Sequence, residues 1–256
     1  IEGALSAGTV TLLGTNGSIL EHYPPDDSTD CLTITGADAG RTKISGLTFK
    51  GLQNSHTFGR DLLRIKKGDY VVLEGLYLVS PKRDALHVEP GADFQWIENM
   101  LLLNVKSQSA KPDAFHFELP SGLSTVFINQ TTMINCESRS SERYALALIN
   151  ANTSSSAAKI SCFKVINTEL AGSTGTTEPI VKISGPASGG VIENVSFQDS
   201  VIEDTTNSRQ GPAVHISGSM SGLFHFDNSN TYGTAGGAVV GFELFPHYHY
   251  RTITSS

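Results

Sequence analysis

Two segments carry the residue types from which acid–base chemistry is built. RDALHVEPG spans 83–91 and PDAFHFELP spans 112–120. Each reads Asp-Ala-apolar-His-apolar-Glu, so Asp84, His87 and Glu89 recur as Asp113, His116 and Glu118, 29 residues later. Imidazoles and carboxylates are the commonest proton-transfer groups. Two glutamates brought side by side repel, which is expected to raise the pKa of one of them. A protonated carboxyl beside an ionised one is the pair that hydrolysis of a glycosidic bond uses. A spacing of about 5 Å suits retention and a wider one inversion.

The elements that must position these groups repeat along the chain. Relatives of the motif are DCLTIT (30–35), DLLRIK (61–66), DALHVE (84–89), DAFHFE (113–118), YALALI (144–149), PIVKIS (179–184) and PAVHIS (212–217). All alternate apolar with other residues, the period-two signature of a half-buried strand. A second series interleaves with the first: ISGLTF (44–49), LEGLYL (73–78), IENMLL (97–102), INQTTM (128–133), ISCFKV (160–165) and IENVSF (192–197). In four of these a Gly or Asn stands third, where a tight corner needs left-handed backbone. Asn104, Asn135, Asn167 and Asp199 follow at a common offset and are expected to hydrogen-bond up a ladder. No helical period of matching strength competes. Units with several short strands, unable to bury their own apolar face, stack as a solenoid. A β-propeller needs longer blades, of about 40–45 residues or more. The expected fold is therefore all-β: a single-stranded right-handed parallel β-helix of about seven coils. Residues 1–29 form an opening turn, 30–222 the body, and 223–256 the last coil and a C-terminal cap.

Stacking rungs about 4.8 Å apart would line equivalent side chains into columns. Leu86, Val88, Phe115 and Phe117 face inward, so His87, Glu89, His116 and Glu118 face outward. The first outer column reads Thr33, Arg64, His87, His116, Ala147, Lys182, His215. The second reads Thr35, Lys66, Glu89, Glu118, Ile149, Ser184, Ser217. A third, of mostly small residues (Cys31, Leu62, Ala85, Ala114, Ala145, Ile180, Ala213), is expected to floor a shallow groove. Asp84 and Asp113 stand at a loop-to-strand junction, where they either join the chemistry or cap the turn on backbone N–H groups. Glu89 and Glu118 either react or pair with Arg64 and Lys66 as solvated face residues. Trp96, the sole tryptophan, precedes a strand and is a candidate sugar platform or a packing residue. The SQSAKP (107–112) and SSERY (140–144) segments flank the DAFHFE rung and are placed to wall a binding groove.

Composition excludes several classes. A net charge of −7 with scattered Lys and Arg argues against nucleic acid. No run of eighteen apolar residues exists, so no transmembrane helix is expected. The first residue is Ile, so the chain is expected to be a fragment or processed product, and its start lacks signal-peptide character. Cys31, Cys136 and Cys162 match no metal spacing and are expected as reduced thiols. His215 reads as a surface residue. His225, His247 and His249 lack a carboxylate at ligand spacing, so no metal and no cofactor are expected.

The I-x-G/N-apolar corners and D-A-apolar-H-apolar-E strands, spanning roughly 30 to 217, resemble the pectate-lyase-like superfamily and especially the β-helical bodies of phage tailspikes. In the polygalacturonase-like relatives an N-T-D-G-apolar-D pattern carries catalytic Asp residues at the same junction. Here R-D-A-L-H and P-D-A-F-H keep the first Asp and place Ala and His where that pattern has Gly and Asp. The resemblance implies a polysaccharide depolymerase of a phage spike, located on a virion tail or outside the cell and assembled as a homotrimer. Glu89, Glu118, Asp84 and Asp113 are the expected acid, base or nucleophile. His87, His116, Arg64, Lys66 and Trp96 would bind substrate. Carboxylates outnumber cations in the central motifs, which favours hydrolysis over elimination. A glycan-binding adhesin without activity is the alternative, as is a polysaccharide lyase using His and Arg64.

Overall fold

A computed structural model describes residues 4–5, 10–15, 17–22, 28–35, 41–51, 60–172, 177–204, 212–232 and 240–243. The described residues form only strands and turns, and every strand pair is parallel. Three sheets of nine, eleven and eight strands run the length of the molecule. The result is a parallel β-solenoid of about six turns, close to the seven read from the repeat.

The first sheet holds the chemistry. It runs through Leu32–Ile34, Leu63–Ile65, Leu86–Val88, Phe115–Leu119, Leu146–Asn150, Val181–Ser184 and Val214–Ser217, with Ala4–Leu5 and Val240–Glu243 at its edges. Thr33 pairs with Arg64, Arg64 with His87, His87 with His116, His116 with Ala147, Ala147 with Lys182, and Lys182 with His215. The expected first column is thus in register throughout. The flanking positions Leu63, Leu86, Phe115 and Ile65, Val88, Phe117 are fully buried. Phe117 meets Phe163 edge to face at 4.8 Å, filling the core across the solenoid.

Two expectations are corrected. Leu62, Ala85, Ala114, Ala145, Ile180 and Ala213 do not floor an open groove; all are buried within the hydrophobic core. The Gly and Asn corners are also two corners rather than one. Ile44 pairs with Leu73 and Leu73 with Leu102, so ISGLTF and LEGLYL begin later in the turn than IENMLL. Gly46, Gly75, Asn104, Asn135, Asn167 and Asp199 therefore form one column, with φ between 45° and 69°. Tyr70, Asn99, Gln130, Cys162 and Asn194 form the other. Left-handed backbone recurs at every rung of both, which Gly and Asn adopt at least cost. The expected ladder is present in part: Asn167 Nδ2 donates to Asn135 Oδ1 at 2.7 Å, while Asp199 Oδ1 accepts from Asn228 Nδ2 at 2.6 Å.

The opening segment contributes Val10–Leu13 and Ile19–Glu21 to the second and third sheets, as a turn of the solenoid should. The proposed cap at 242–256, including His247 and His249, lies outside the described residues beyond Glu243. None of the helices needed to cross a membrane occurs among the described residues.

Candidate active site

The Asp residues that start the first-sheet strands are bound to backbone on the next rung, and Asp61, Asp84 and Asp113 are buried. Asp30 Oδ1 accepts from Asp61 N, Asp61 Oδ1 from Asp84 N, and Asp84 Oδ1 from Asp113 N, each at 3.2 Å; Asp113 Oδ1 accepts from Tyr144 N at 3.1 Å. The capping alternative is thus the structural role of Asp84 and Asp113. It leaves each second oxygen, Oδ2, for other partners.

In two of the four units an arginine from the following rung takes up that second oxygen. Arg83 grips Asp61 with Nε at 2.9 Å and Nη2 at 3.0 Å. Arg143 grips Asp113 with Nε at 2.9 Å and Nη2 at 2.5 Å. Arg60 Nε lies 3.9 Å from Asp30 Oδ1. Such forked pairing fixes both planar groups. Above Asp84 the equivalent position is Pro112, which carries no cation. Asp84 Oδ2 instead faces two imidazoles, His87 Nδ1 at 3.0 Å and His116 Nδ1 at 3.3 Å.

The two rings stack 4.6 Å apart and 4° from parallel, because their strands are in register. His116 Nδ1 also lies 2.9 Å from Asp113 Oδ2. Their outer nitrogens face the glutamates. His87 Nε2 is 3.6 Å from Glu89 Oε2 and 3.9 Å from Glu118 Oε2; His116 Nε2 is 3.4 Å from Glu118 Oε2. Neither Nε2 has a hydrogen-bond partner among the described residues. Arg64, buried beside Asp61, bonds Asp61 Oδ2 at 3.1 Å and reaches Glu89 with its other nitrogen. A groove of about 330 Å³ opens over this cluster, lined by Arg60, Arg83, Asp84, His87, Glu89, Pro112, His116, Glu118 and Arg143.

The charges inside the groove set its proton inventory. Burial alone would raise the Asp84 pKa, but the His116 and His87 nitrogens outweigh it and hold the carboxyl far below the usual carboxylate range. Burial would lower the His116 pKa; the Asp113, Asp84 and Glu118 carboxylates overcome this and push it up to about 11. Glu118 is held low by the His116 imidazolium, opposite to the rise expected from a glutamate pair. The cause is the His116 imidazole, 3.4 Å from Glu118 Oε2, so Glu118 is not the raised member of the pair.

These shifts fix a stability profile. The raised His116 pKa contributes stability that is complete below the unfolded value of about 6.5 and is lost as pH rises toward about 11. The lowered Asp84 pKa contributes stability present above about 3.8 and lost as pH falls below it. The urea midpoint should therefore decline from pH 6.5 to 10, by up to ~1.4 kcal/mol per pH unit for one proton, and a His116→Gln variant should flatten that decline. A wild-type midpoint flat across this range would contradict the assigned imidazolium.

Asp84, His87 and His116 offer three donor atoms within 4.8 Å of one another. They do not suit a small divalent ion. Two parallel rings cannot both aim in-plane lone pairs at one point about 2.1 Å away, and Arg83 Nη2 already lies 2.7 Å from His87 Nδ1.

Of the expected site residues, the structure brings together Asp84, Asp113, His87, His116, Glu89, Glu118 and Arg64. Trp96 lies on the second sheet, stacked on Phe127 at 5.8 Å with Lys67 over its ring, and does not line the groove. Lys66 does not line the groove either; its chain runs against Gly91, where an added Cβ would come within 3.3 Å of Cδ. His215 is paired with Lys182, whose Nζ lies 2.7 Å from its Nδ1. Asp61, Arg60, Arg83 and Arg143 were not anticipated. Their signal is an Arg that recurs one position before the strand motif, in RDLLRIK, RDALHVE and RYALALI. With three arginines and two imidazoles among the lining residues, carboxylates do not outnumber cations in the groove.

No family model matches the sequence, and no similar curated protein or solved structure was found.

Proposed function

We propose that the protein binds an acidic polysaccharide along its first sheet and hydrolyses it, as a tailspike-like depolymerase of a bacterial surface glycan does. One observation carries this reading: Glu89 and Glu118 both reach within 4 Å of the same imidazole nitrogen, His87 Nε2, at the floor of an open groove. Carboxylates so placed can share the acid, base and nucleophile work of glycoside cleavage. The long parallel face is compatible with a polysaccharide-binding or polysaccharide-degrading role. Arg60, Arg83 and Arg143 along the groove favour sugars bearing carboxylate or similar anions.

Those same arginines favour a second reading, elimination beside a uronate carboxylate whose charge they would neutralise. Incubation of the purified protein with capsule, exopolysaccharide and lipopolysaccharide preparations separates the readings. New reducing ends without ultraviolet absorbance mark hydrolysis. Unsaturated ends that absorb mark a lyase. Tight binding with no product from any glycan that binds would leave a non-catalytic adhesin and overturn both.

A further inference from the structure

We propose that the proton donor of this site is the His116 imidazolium, positioned by Asp84 and Asp113, and that neither glutamate supplies the proton. This rests on the hydrolytic reading above and specifies its acid. Glu89 Oε2 accepts from Arg64, which ties it to the buried Arg64–Asp61 pair and orients it as the group that meets the sugar carbon. Glu118 is kept as a carboxylate by its neighbour. His116 is left. Its Nδ1 lies 2.9 Å from Asp113 Oδ2 and 3.3 Å from Asp84 Oδ2, and its buried Nε2 lies 3.4 Å from Glu118 Oε2, on the side of the groove that His116 lines. That is the arrangement of an imidazole oriented from behind and reactive in front.

The two stacked rings are not equivalent. His87 Nδ1 has a guanidinium nitrogen, Arg83 Nη2, at 2.7 Å, and a nitrogen facing a donor serves best as an acceptor. Both Nδ1 atoms have two carboxylate oxygens within reach, Asp84 and Asp61 for His87 and Asp113 and Asp84 for His116, so the guanidinium on His87 is the difference. The groups facing His116 are Asp84 and His87 below, Asp113 and Glu118 on its own strand, and Arg143 from the rung above, already forked onto Asp113; Ala147 stacks over it without charge. Burial would lower the His87 pKa, but the Asp61 and Asp84 carboxylates overcome this and raise it, so what sets His116 apart is that no guanidinium faces its Nδ1. Pro112 completes the case: had it been an arginine, as in the neighbouring units, Asp84 would be clamped and the imidazole would lose a counter-ion.

The chemistry balances with these groups alone. As the bond from the anomeric carbon to the bridging oxygen breaks, its electron pair stays on that oxygen, which takes the His116 Nε2 proton. Glu89, on the neighbouring rung, bonds to the anomeric carbon. Neutral His116 then takes a proton from water, whose oxygen displaces Glu89. The carboxylate and the imidazolium are both restored.

The test pairs spectroscopy with kinetics. Nitrogen-15 spectra of histidine-labelled protein should show His116 protonated on both ring nitrogens from pH 6 to 9. His116→Gln should lose about 10²–10⁴-fold in cleavage of the polysaccharide, yet lose less than tenfold on an aryl glycoside of the same sugar, whose leaving group needs no proton. Asp84→Asn should shift the basic limb of the kcat/KM profile to lower pH. An imidazole that titrates near 6.5, equal losses on both substrates, or an unmoved basic limb overturns the assignment. If wild-type protein cleaves no glycan, the hydrolytic reading falls and the donor role with it, while the spectra still decide whether His116 holds the proton.

Discussion

Replacing Asp61 by alanine is expected to lower the unfolding free energy by about 3–5 kcal/mol, the cost of stranding buried charge. Asp61 is fully buried and is the hub of the cluster. Its two oxygens receive Arg64, both arms of Arg83 and the backbone N–H of Asp84, and His87 Nδ1 lies 3.3 Å away. Alanine would leave a guanidinium that is itself buried, Arg64, facing only Glu89, and would uncap the next strand. Asp61→Asn keeps the capping oxygen and should cost less, in the range of about 1–3 kcal/mol for hydrogen bonds to charged groups. Urea unfolding followed by circular dichroism reads the difference. Equal midpoints for Asp61→Ala and wild type would show that the arginines find other partners at no cost, and the hub would lose its meaning.

The second large effect concerns activity. Glu89→Gln should abolish polysaccharide cleavage by at least ~10⁴-fold, the scale seen when a nucleophile is removed. Glycan binding, measured by calorimetry, should stay within a few-fold of wild type, because the amide oxygen still accepts from Arg64 and the shape is kept. Glu118→Gln should do less, about tenfold to a hundredfold, because Glu118 stands beside the imidazolium and does not bond to the sugar in the proposed step. A Glu118→Gln variant more damaged than Glu89→Gln would exchange the roles of the two residues. A Glu89→Gln variant with full activity would remove the carboxylate pair from the mechanism.

Much of the architecture was legible in the residues. The DALHVE and DAFHFE strands alternate with period two, and a strand has only two faces, so Leu86 and Val88 inside put His87 and Glu89 outside. The column from Thr33 to His215 follows from that alone, and the pairing register reproduces it member by member. The corner columns were only half legible. Gly46 and Asn99 look alike in sequence, because both follow an apolar-polar pair, yet they turn different corners. Unequal segments between corners hide the phase, and hydrogen bonding between rungs is what sets it.

The sequence by itself determined a repeating parallel solenoid with two histidine–glutamate rungs on one outer face, because alternation and repeat length are properties local to each unit. Only the tertiary structure decided what those rungs are for. Whether Asp84 clamps an arginine or holds an imidazole depends on what Oδ2 meets, and that is decided by Pro112, which brings no cation, and by His116, 28 and 32 residues away. The sign of the Glu118 shift was likewise beyond the sequence, since it depends on whether an imidazole or a second carboxylate stands nearer, and ångström differences in distance decide that balance.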